Sequence, residues 1–368
     1  MALQKISGVT IDLTSQAEGD VAYFDGTDWV RLAKGDAGDV LRMNENVTAP
    51  EWGTVEATVQ GRVSGYCGGG EIASTAHSDV IDKFSYTSSV NATDVGNLTG
   101  GAMQAGCCGS TTYGYCMRND GPGTPAGPRG TTTYVERWSF ATDGNATNVG
   151  TLPNNHWDGP SGHASTTHGY GAGAYDLYGD GNAISKFAFS NEATTTDVGN
   201  LTVTAHGAGH AGCSSYDYGG FVFGGFQGGA GDPNTNVIDK FSFASDGNAS
   251  DHADLTAPMR DMNGQSGLTH GYAAFGYLGA SGPYVSDIQK FPYASQTNAT
   301  DVGDISFQRG LSSGTVSITH GYSTGGITTT PAKSNRISKN SHVTDGNEVD
   351  VANLTVARSH FSGTGTQI

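Results

Sequence analysis

A short motif that occurs six times along the chain limits the fold more than any other feature of the sequence. The motif consists of an aliphatic residue, a variable residue, a lysine or arginine and, in all copies but the last, an aromatic residue. The copies begin at Ile81, Val135, Ile184, Ile238, Ile288 and Ile337, at intervals of 54, 49, 54, 50 and 49 residues. Self-similarity with a period of about fifty residues is typical of an array of equal structural units.

Each unit has the features of four short strands. A segment of small residues leads to a glycine-rich segment, usually with a Gly-Tyr pair, and a variable loop precedes the motif. A polar turn such as Asp143-Gly144-Asn145 and a closing apolar segment follow the motif. The closing Leu or Ile lies 17 residues after the first motif residue in every unit, as Leu98 does after Ile81, so the last hairpin has a constant length. Four strands with Gly, Asn and Asp turns predict an antiparallel meander, and the chain as an all-β, six-bladed β-propeller.

The end of the chain is predicted to close the ring. The first unit begins at Gly65-Tyr66 and lacks a first strand, whereas residues 357–368 follow the last unit without a further Gly-Tyr pair. We therefore expect residues 357–368 to supply the first strand of blade one, which leaves no open sheet edge between the first and last units. Ile81 and Phe84 lie three positions apart, so we expect the motif strand to be buried on both faces, against one neighbouring blade on each side.

The order of these segments resembles a degenerate Kelch repeat from about residue 62 to residue 368. The small-residue strand, the glycine-rich strand, the aromatic strand and the final apolar strand follow one another as in that family. The sequence departs from the family where Cys116-Met117-Arg118 and Gly171-Ala172-Gly173 replace the double glycine, and where the last-strand tryptophan is absent. The resemblance implies the propeller fold and no particular partner.

Residues 1–60 lie outside the repeat and are predicted to form a β-rich attachment module, with residues 61–368 as the propeller. Residues 19–32 predict a hairpin with its turn at Asp25-Gly26, and residues 38–53 are a looser second copy. The phrase GDVAYFDGTDWVRL followed by APEWG resembles short β-repeats of bacteriophage tail-fibre and other virion structural proteins. Two hairpins bury too little apolar surface to be stable alone. We therefore expect a homo-oligomer, with a trimer favoured, or docking of this module onto other virion proteins.

The charge and hydropathy of the chain exclude several kinds of partner. The formal net charge is −17, from 35 acidic and 18 basic residues, which disfavours nucleic acid and anionic lipid surfaces. No apolar stretch approaches the roughly 18 residues of a transmembrane helix, and the N-terminal residues lack the pattern of a signal peptide. These features predict no membrane insertion, and they fit the assembly in the host cytoplasm that the resemblance to virion proteins implies.

The repeated polar residues are interpreted as structural. The cysteines Cys67, Cys107, Cys108, Cys116 and Cys213 have no CxxC spacing and are expected to be small buried strand residues. The histidines of the Thr-His-Gly-Tyr phrases, His168, His270 and His320, are expected to make local hydrogen bonds at turns. The lysines two residues after the motif start and the aspartates thirteen residues after it are expected to be paired or solvent-exposed charges along a hairpin. No metal site and no cofactor are predicted.

Length variation between the units indicates which face binds a ligand. The loop between the second and third strands and the connection between blades vary in length, and both emerge on one face of a propeller, here the variable face. The hairpin between the third and fourth strands lies on the opposite, constant face. Binding residues are concentrated on variable loops of a rigid scaffold. The candidate ligand-binding residues on these loops are Arg118, Arg129, His156, Trp157, Tyr175, Tyr178, Tyr277 and Tyr284.

The resemblance of residues 19–53 to virion repeats implies a bacteriophage virion structural protein, a tail fibre or peripheral adhesin, and the variable face is where we expect it to bind a host surface glycan or protein. The sequence contains no G-x-S-x-G, no HExxH, no phosphate-binding loop and no sialidase-like Asp box, so no catalytic residue is predicted. A carboxylate pair for glycan hydrolysis is assembled in space rather than in sequence, which leaves a propeller glycosidase or depolymerase as one alternative. The other alternative is a purely architectural capsid or tail decoration protein.

Overall fold

A computed structural model describes most of the chain as two compact units, residues 1–59 and 60–368. The described residues are 15, 17–36, 39–44, 48–54, 63–73, 76–119, 133–153, 159–174, 181–203, 210–226, 234–279, 282–329, 332–360 and 362–364. No helix among them is long and apolar enough to span a bilayer.

The second unit is a six-bladed β-propeller, as predicted. From the axis outwards, the blades contain the following strands. Blade 1 has β33 (Ser362–Thr364), β5 (Ser64–Gly68), β8 (Val80–Ser85) and β9 (Thr93–Asn97), and blade 2 has β10 (Gly106–Gly109), β11 (Tyr113–Asn119), β12 (Thr133–Ser139) and β13 (Thr147–Thr151). Blade 3 has β14 (Ser161–Ala164), β15 (His168–Ala172), β16 (Ala183–Ala188) and β17 (Asn191–Asn200), and blade 4 has β18 (Ala211–Ser215), β19 (Gly219–Phe223), β20 (Val237–Phe241) and β21 (Ser250–Asp254). Blade 5 has β23 (Asn263–Ser266), β24 (His270–Leu278), β25 (Tyr284–Pro292) and β26 (Thr300–Asp304), and blade 6 has β28 (Ser313–Val316), β29 (His320–Thr324), β31 (Arg336–Ser341) and β32 (Val349–Asn353).

Three short pairings extend the variable face of this ring. They are β6 (Glu71–Ala73) with β7 (Ala76–His77), β22 (Met259–Arg260) with the far end of β24, and β27 (Arg309–Gly310) with β30 (Ile327–Thr328). The last two join the connection that enters a blade to the loop between its second and third strands. This arrangement brings the two kinds of variable loop together on one face.

The C-terminal strand closes the ring as the sequence predicted. β33 pairs antiparallel with β5, with Ser362 opposite Gly68 and Thr364 opposite Tyr66. Blade 1 therefore combines one strand from the end of the chain with three strands from the start of the repeat, so opening the ring would require breaking this pairing.

The motif strand of blade 1 is buried against both neighbouring blades, as the sequence predicted. Ile81 belongs to a core that contains Trp138 of blade 2. Phe84 belongs to a different core, with Tyr322 and Ile337 of blade 6. The apolar core of the propeller is thus divided among the seams between blades.

A β-bulge at the motif places a polar side chain at every seam. The pairing of the third and fourth strands shifts register directly after the first motif residue in all six blades. The next residue is buried and polar in each blade: Asp82, Glu136, Ser185, Asp239, Gln289 and Ser338. The Asp239 carboxylate accepts a hydrogen bond of 2.8 Å from the Thr202 amide of the preceding blade. Asp82 accepts the same bond from Thr355, at 3.2 Å, and so links blade 6 to blade 1.

The outer strand of a blade is covered by the constant-face turn of the next blade. The Asn145 side-chain oxygen accepts a 3.0 Å hydrogen bond from the Asn97 amide, and the Ala146 amide donates to the Asn97 carbonyl at 2.8 Å. Equivalent asparagines at four other seams are Asn91, Asn248, Asn298 and Asn347. These bonds occupy backbone groups that an edge strand would otherwise expose.

Three of the recurrent lysines form ion pairs, and these pairs join two blades rather than the strands of one hairpin. The lysines Lys83, Lys186 and Lys290 contact Asp143, Asp246 and Asp345 of the next blade, with N–O distances of 3.0, 2.6 and 2.9 Å. The aspartates that follow the motif by thirteen residues have a local role. Asp94, for example, accepts a hydrogen bond from the Gly96 amide at 3.1 Å.

The seam between blades 5 and 6 is polar. In the other blades the third and fifth positions after the first motif residue are aromatic, as Phe84 and Tyr86 are in blade 1. Blade 6 has Asn340 and His342 instead, and Gln265 Oε1 of blade 5 lies 3.2 Å from His342 Nε2. The described apolar cluster at this seam contains blade 5 residues only.

The first unit contains two hairpins, β1 (Val21–Phe24) with β2 (Trp29–Leu32) and β3 (Asp39–Met43) with β4 (Pro50–Thr54). The turn predicted at Asp25-Gly26 is present, and the Asp25 carboxylate accepts hydrogen bonds from the amides of residues 27 and 28. Phe24, Leu41 and Met43 are 48%, 47% and 50% exposed. These hairpins therefore leave about half of several large apolar side chains in water.

Candidate functional site

The innermost strands begin at residues that share an unusual backbone conformation. Gln104, Asp261, Leu311 and His360 have φ values of 53°, 59°, 54° and 54°, in the left-handed region that non-glycine residues rarely adopt. They occupy equivalent positions in four blades, and Gly159 holds the same position in blade 3 with φ 54°. Strained backbone of this kind persists only where the surrounding structure enforces it, and it is concentrated at functional sites.

Backbone hydrogen bonds connect these residues around the axis. The Leu311 amide donates to the Asp261 carbonyl at 2.9 Å, and the His360 amide donates to the Leu311 carbonyl at 2.9 Å. The Gln104 amide then donates to the His360 carbonyl at 2.6 Å. Four consecutive blades are thus joined at the point where the chain enters the axis, and this partial ring forms a rigid mouth.

An axial cavity of about 120 Å³ opens at this mouth on the variable face. Its polar lining residues include Gln104, Ser161, His210, Asp261, Asn263, Ser312, Ser313 and His360. A second space of about 50 Å³ continues between the inner strands, beside Cys107, Gly212 and Thr315. The cavity is small compared with the roughly 300–1,000 Å³ of pockets that enclose drug-sized ligands, so it would hold part of a ligand whose remainder lies outside the mouth.

Glycines keep the axis narrow below the mouth. A Cβ atom on Gly162, Gly264 or Gly314 would overlap the backbone carbonyl oxygen of the neighbouring inner strand. The inner strands therefore approach one another at a distance that only glycine permits. This close approach confines the usable volume to the mouth.

Asp261 is the acidic side chain among the described residues that line the cavity. Its carboxylate has one cationic neighbour, the Arg260 Nε atom at 3.7 Å, and this separation is too long for a hydrogen bond. Within the described part of the chain no group donates a hydrogen bond to that carboxylate. Burial raises the pKa of Asp261 from its ordinary value of 3.8 to about 6, and the charge of Arg260 only partly opposes this effect.

Two further polar side chains lie at the mouth: Gln104, whose side-chain oxygen accepts no hydrogen bond from a described residue, and His360, whose imidazole is neutral. The Gln104 Oε1 atom is buried and accepts no hydrogen bond from any described residue. His360 Nδ1 lies 3.1 Å from a Glu71 oxygen that Lys333 also contacts at 3.0 Å. Burial outweighs the carboxylate of Glu71 and lowers the pKa of His360 to about 4, so this imidazole carries no charge at neutral pH.

Two of the predicted site residues form an aromatic cluster next to Asp261. The rings of Tyr277 and Tyr284 meet edge to face with centroids 5.1 Å apart, and they face each other across β24 and β25. The Arg260 guanidinium lies 5.2 Å from the centre of the Tyr277 ring. The carboxylate of Asp261 contributes, after burial, to the raised pKa of Tyr284. Rings, cation and carboxylate therefore share one corner of the variable face.

Arg118, another predicted site residue, is held inside blade 2. Its side chain is 10% exposed and forms an ion pair with the fully buried Glu136. It also donates to the Thr99 hydroxyl at 2.6 Å. This arrangement resembles that of Arg358, which donates to Asp82 at 2.9 Å at the seam that closes the ring. The other predicted residues, Arg129, His156, Trp157, Tyr175 and Tyr178, lie outside the described residues.

The recurrent histidines and the cysteines have structural roles. The histidines of the Thr-His-Gly-Tyr phrases each lie 2.8 Å from the hydroxyl of the preceding threonine, which confirms the expected local bonds. All five cysteines are buried and free, as expected of small core residues. Among the residues that the structure describes, no group of three His, Cys, Asp or Glu side chains could hold a metal ion.

The sequence analysis missed Gln104, Asp261 and His360. Each lies three residues before one position of the innermost strand, which is glycine in five blades and Cys107 in blade 2. That alignment marks the mouth of the axis in every unit. The residue types at the mouth differ from blade to blade, so no repeated motif marks the site.

Comparison with known proteins supports the fold. No family model matches the chain, and no curated protein matches it. A solved structure titled "Structure of YjhT" superposes with a TM-score of 0.54 at 10% identity, over 72% of this chain and 87% of that chain. The Kelch-like resemblance and the resemblance of residues 19–53 to virion repeats stay predictions from sequence.

Proposed function

We propose that this chain is a bacteriophage virion structural protein, a tail fibre or peripheral adhesin, that binds a neutral host surface glycan at the axial cavity. The observation that carries the proposal is a pair of acceptors at the mouth, Gln104 Oε1, which accepts no hydrogen bond from a described residue, and the Asp261 carboxylate, whose cationic neighbour Arg260 lies 3.7 Å away, beyond hydrogen-bond distance. Such groups are costly to bury without donors. Hydroxyl groups of a sugar are donors of the right kind, and the adjacent Tyr277 and Tyr284 offer apolar surface for the next residue of a glycan.

The charge of the protein narrows the ligand to neutral sugars. The net charge is −17, and Asp261 would repel an acidic sugar at close range. An adhesin role is supported by residues 19–53, which resemble virion repeats, and by the half-exposed apolar side chains of Phe24, Leu41 and Met43, which a virion partner would cover.

Calorimetry of the full chain with a panel of neutral methyl glycosides, and with glucuronic and sialic acid glycosides for comparison, tests the proposal. We expect at least one neutral sugar to bind, and D261N to weaken that binding about tenfold, since a hydrogen bond to a charged acceptor is stronger than one to a neutral acceptor. The matched control is D246A, on the constant face, which should leave affinity unchanged. Binding of the acidic sugars alone, or equal effects of the two substitutions, would contradict the proposal.

Glycan hydrolysis is the second candidate, because a buried carboxyl group with a raised pKa is suited to act as a general acid. Hydrolysis needs a second carboxylate across the scissile bond, and the described lining residues supply Asp261 without one. We therefore expect oligosaccharides that bind to be recovered uncleaved, as checked by chromatography of the reducing ends.

A further inference from the structure

Arg260, the residue before Asp261, is fixed at the aromatic corner of the variable face by contacts with two blades. Its guanidinium lies 5.6 Å from the centre of the Phe226 ring of blade 4 and 5.2 Å from the centre of the Tyr277 ring of blade 5. The pairing of β22 with β24 places Arg260 directly opposite Tyr277. Two cation–π contacts therefore hold the guanidinium in place before any ligand arrives.

The guanidinium is accessible to solvent and has unused hydrogen-bond donors. The side chains of Arg260 and Asp261 are 27% and 13% exposed. The Nε atom of Arg260 is buried without a partner, so the exposed nitrogen atoms are those of the two terminal amino groups. Within the described part of the chain these amino groups donate no hydrogen bond. Arg260 thus presents donors beside the carboxylate that borders the cavity.

Arg260 and Asp261 have complementary binding properties. A guanidinium only donates hydrogen bonds and an ionised carboxylate only accepts them, and the 3.7 Å between the Arg260 Nε atom and the carboxylate leaves each without a direct bond to the other. Because the two charges are opposite and adjacent, an anionic group would be repelled by Asp261 and an ammonium group by Arg260. A neutral ligand that both donates and accepts satisfies the two side chains at once.

Hydroxyl groups on neighbouring carbon atoms of a sugar ring have this property. One hydroxyl donates to the carboxylate while its neighbour accepts from an amino group, and both bonds are strengthened by the charge of the protein group. The ring already holds the two hydroxyls side by side, so little conformational entropy is lost when both bind. A trans amide, in contrast, directs its N–H and C=O groups to opposite sides and cannot reach two adjacent side chains with both.

We propose that Arg260 and Asp261 together bind a vicinal diol of a neutral sugar, with one hydroxyl donating to the Asp261 carboxylate and the adjacent hydroxyl accepting from the terminal amino groups of Arg260. The inference rests on the proposed glycan binding and names the chemical group that is recognised. The diol lies at the edge of the axial cavity, which Asp261 borders, with the Tyr277 and Tyr284 rings beside it. Arg260 therefore determines specificity, because it selects sugars in which two adjacent hydroxyls are free.

Calorimetry of the full chain at pH 8 with the methyl glycosides of glucose, galactose and mannose tests the role of Arg260. R260M should weaken the binding of a glycoside about tenfold, which corresponds to about 1.4 kcal/mol, because methionine retains apolar contact with the rings but donates no hydrogen bond. The matched control is R336M. Arg336 also lies over an aromatic ring, 4.7 Å from the centre of Phe307, and contacts Asp350 at 3.3 Å, but it belongs to the third strand of blade 6 and does not border the cavity. R336M should leave the affinity unchanged, and equal effects of the two substitutions would overturn the role of Arg260.

Monodeoxy derivatives of the same glycosides locate the two hydroxyls. The hydroxyl bound by Arg260 is the one whose removal costs about tenfold in wild type and less than twofold in R260M, since the two changes remove the same contact. D261N should reduce the cost of removing the hydroxyl that donates to the carboxylate. We expect these two hydroxyls to be on adjacent carbon atoms. Coupling to non-adjacent hydroxyls, or to none, would overturn the diol while glycan binding itself stands. Absence of binding by all three parent glycosides would refute glycan binding and the diol with it.

Discussion

The substitution D261N should make the protein more stable at neutral pH while it weakens ligand binding. The pKa of Asp261 is about 6 in the fold, against an ordinary value of 3.8 that describes the unfolded chain. A carboxyl group whose pKa is raised on folding favours the native state below pH 4, and this contribution is lost as the pH rises through 6. The difference of about two pKa units corresponds to about 3 kcal/mol of lost stability at pH 7.

Asparagine removes this cost without disturbing the backbone. Asp261 has φ 59°, and asparagine is among the side chains best tolerated in that region. With an unfolding entropy of about 2.1 cal/mol/K per residue over about 300 residues, 3 kcal/mol corresponds to a rise in Tm of roughly 4–5 °C. A stabilising substitution that impairs binding is the usual sign of a residue retained for function.

Thermal unfolding of wild type and D261N between pH 4 and pH 8 measures the effect. The two proteins should have equal Tm values near pH 4, and the variant should gain progressively up to pH 7. D143N is the matched control, because Asp143 also has a left-handed backbone, φ 54°, but is paired with Lys83 on the constant face. A pH-independent difference, or a variant less stable than wild type at pH 7, would refute the reasoning about the Asp261 carboxylate.

Four further predictions concern the contacts between blades and the two units of the chain. Deletion of residues 362–368 should lower Tm far more than deletion of residues 1–60, measured by calorimetry, because only the first deletion opens the ring. G264A should cost about 1–3 kcal/mol in denaturant unfolding, whereas G109A, where a Cβ would lie 3.5 Å from the Phe140 ring, should be tolerated. N145A should cost about 1 kcal/mol, the net value of one hydrogen bond, in the same assay. Light scattering should show a monomer for residues 61–368 and a multimer, with a trimer favoured, for the full chain; monomers in both cases would count against the attachment role of residues 1–60.

The propeller could be predicted from sequence because its determinants are local and repeated. The Ile-x-Lys-Phe strand, the Asp-Gly-Asn turn and the fixed distance to the closing leucine recur in order, and the ring follows from counting them. The partners of the recurrent charged residues were only partly predictable from sequence. Lys83 and Asp143 belong to different units, and the seam that joins them depends on the angle between blades, which no single unit encodes.

The candidate site was largely invisible in the sequence. Gln104, Asp261 and His360 are between 99 and 256 residues apart and meet only because the ring closes. Arg118 was assigned to a binding face because a charged residue stood in a variable segment. Its partner Glu136 belongs to the buried position created by the β-bulge, and strand alternation alone does not reveal a bulge. Asn340 was visible as a departure from the motif, but the contact between His342 and Gln265 that makes this seam polar requires knowledge of the neighbouring blade.

The pairing of β33 with β5 has a consequence for synthesis on the ribosome. About 300 residues separate these strands, so at roughly 5–20 residues per second blade 1 waits about 15–60 s for its innermost strand. During that interval the inner edge of β5, with Tyr66 and Cys67, is available to strands of other nascent chains. We therefore expect slower translation or crowded polysomes to increase aggregation, and a circular permutant that begins at residue 357 to reduce it.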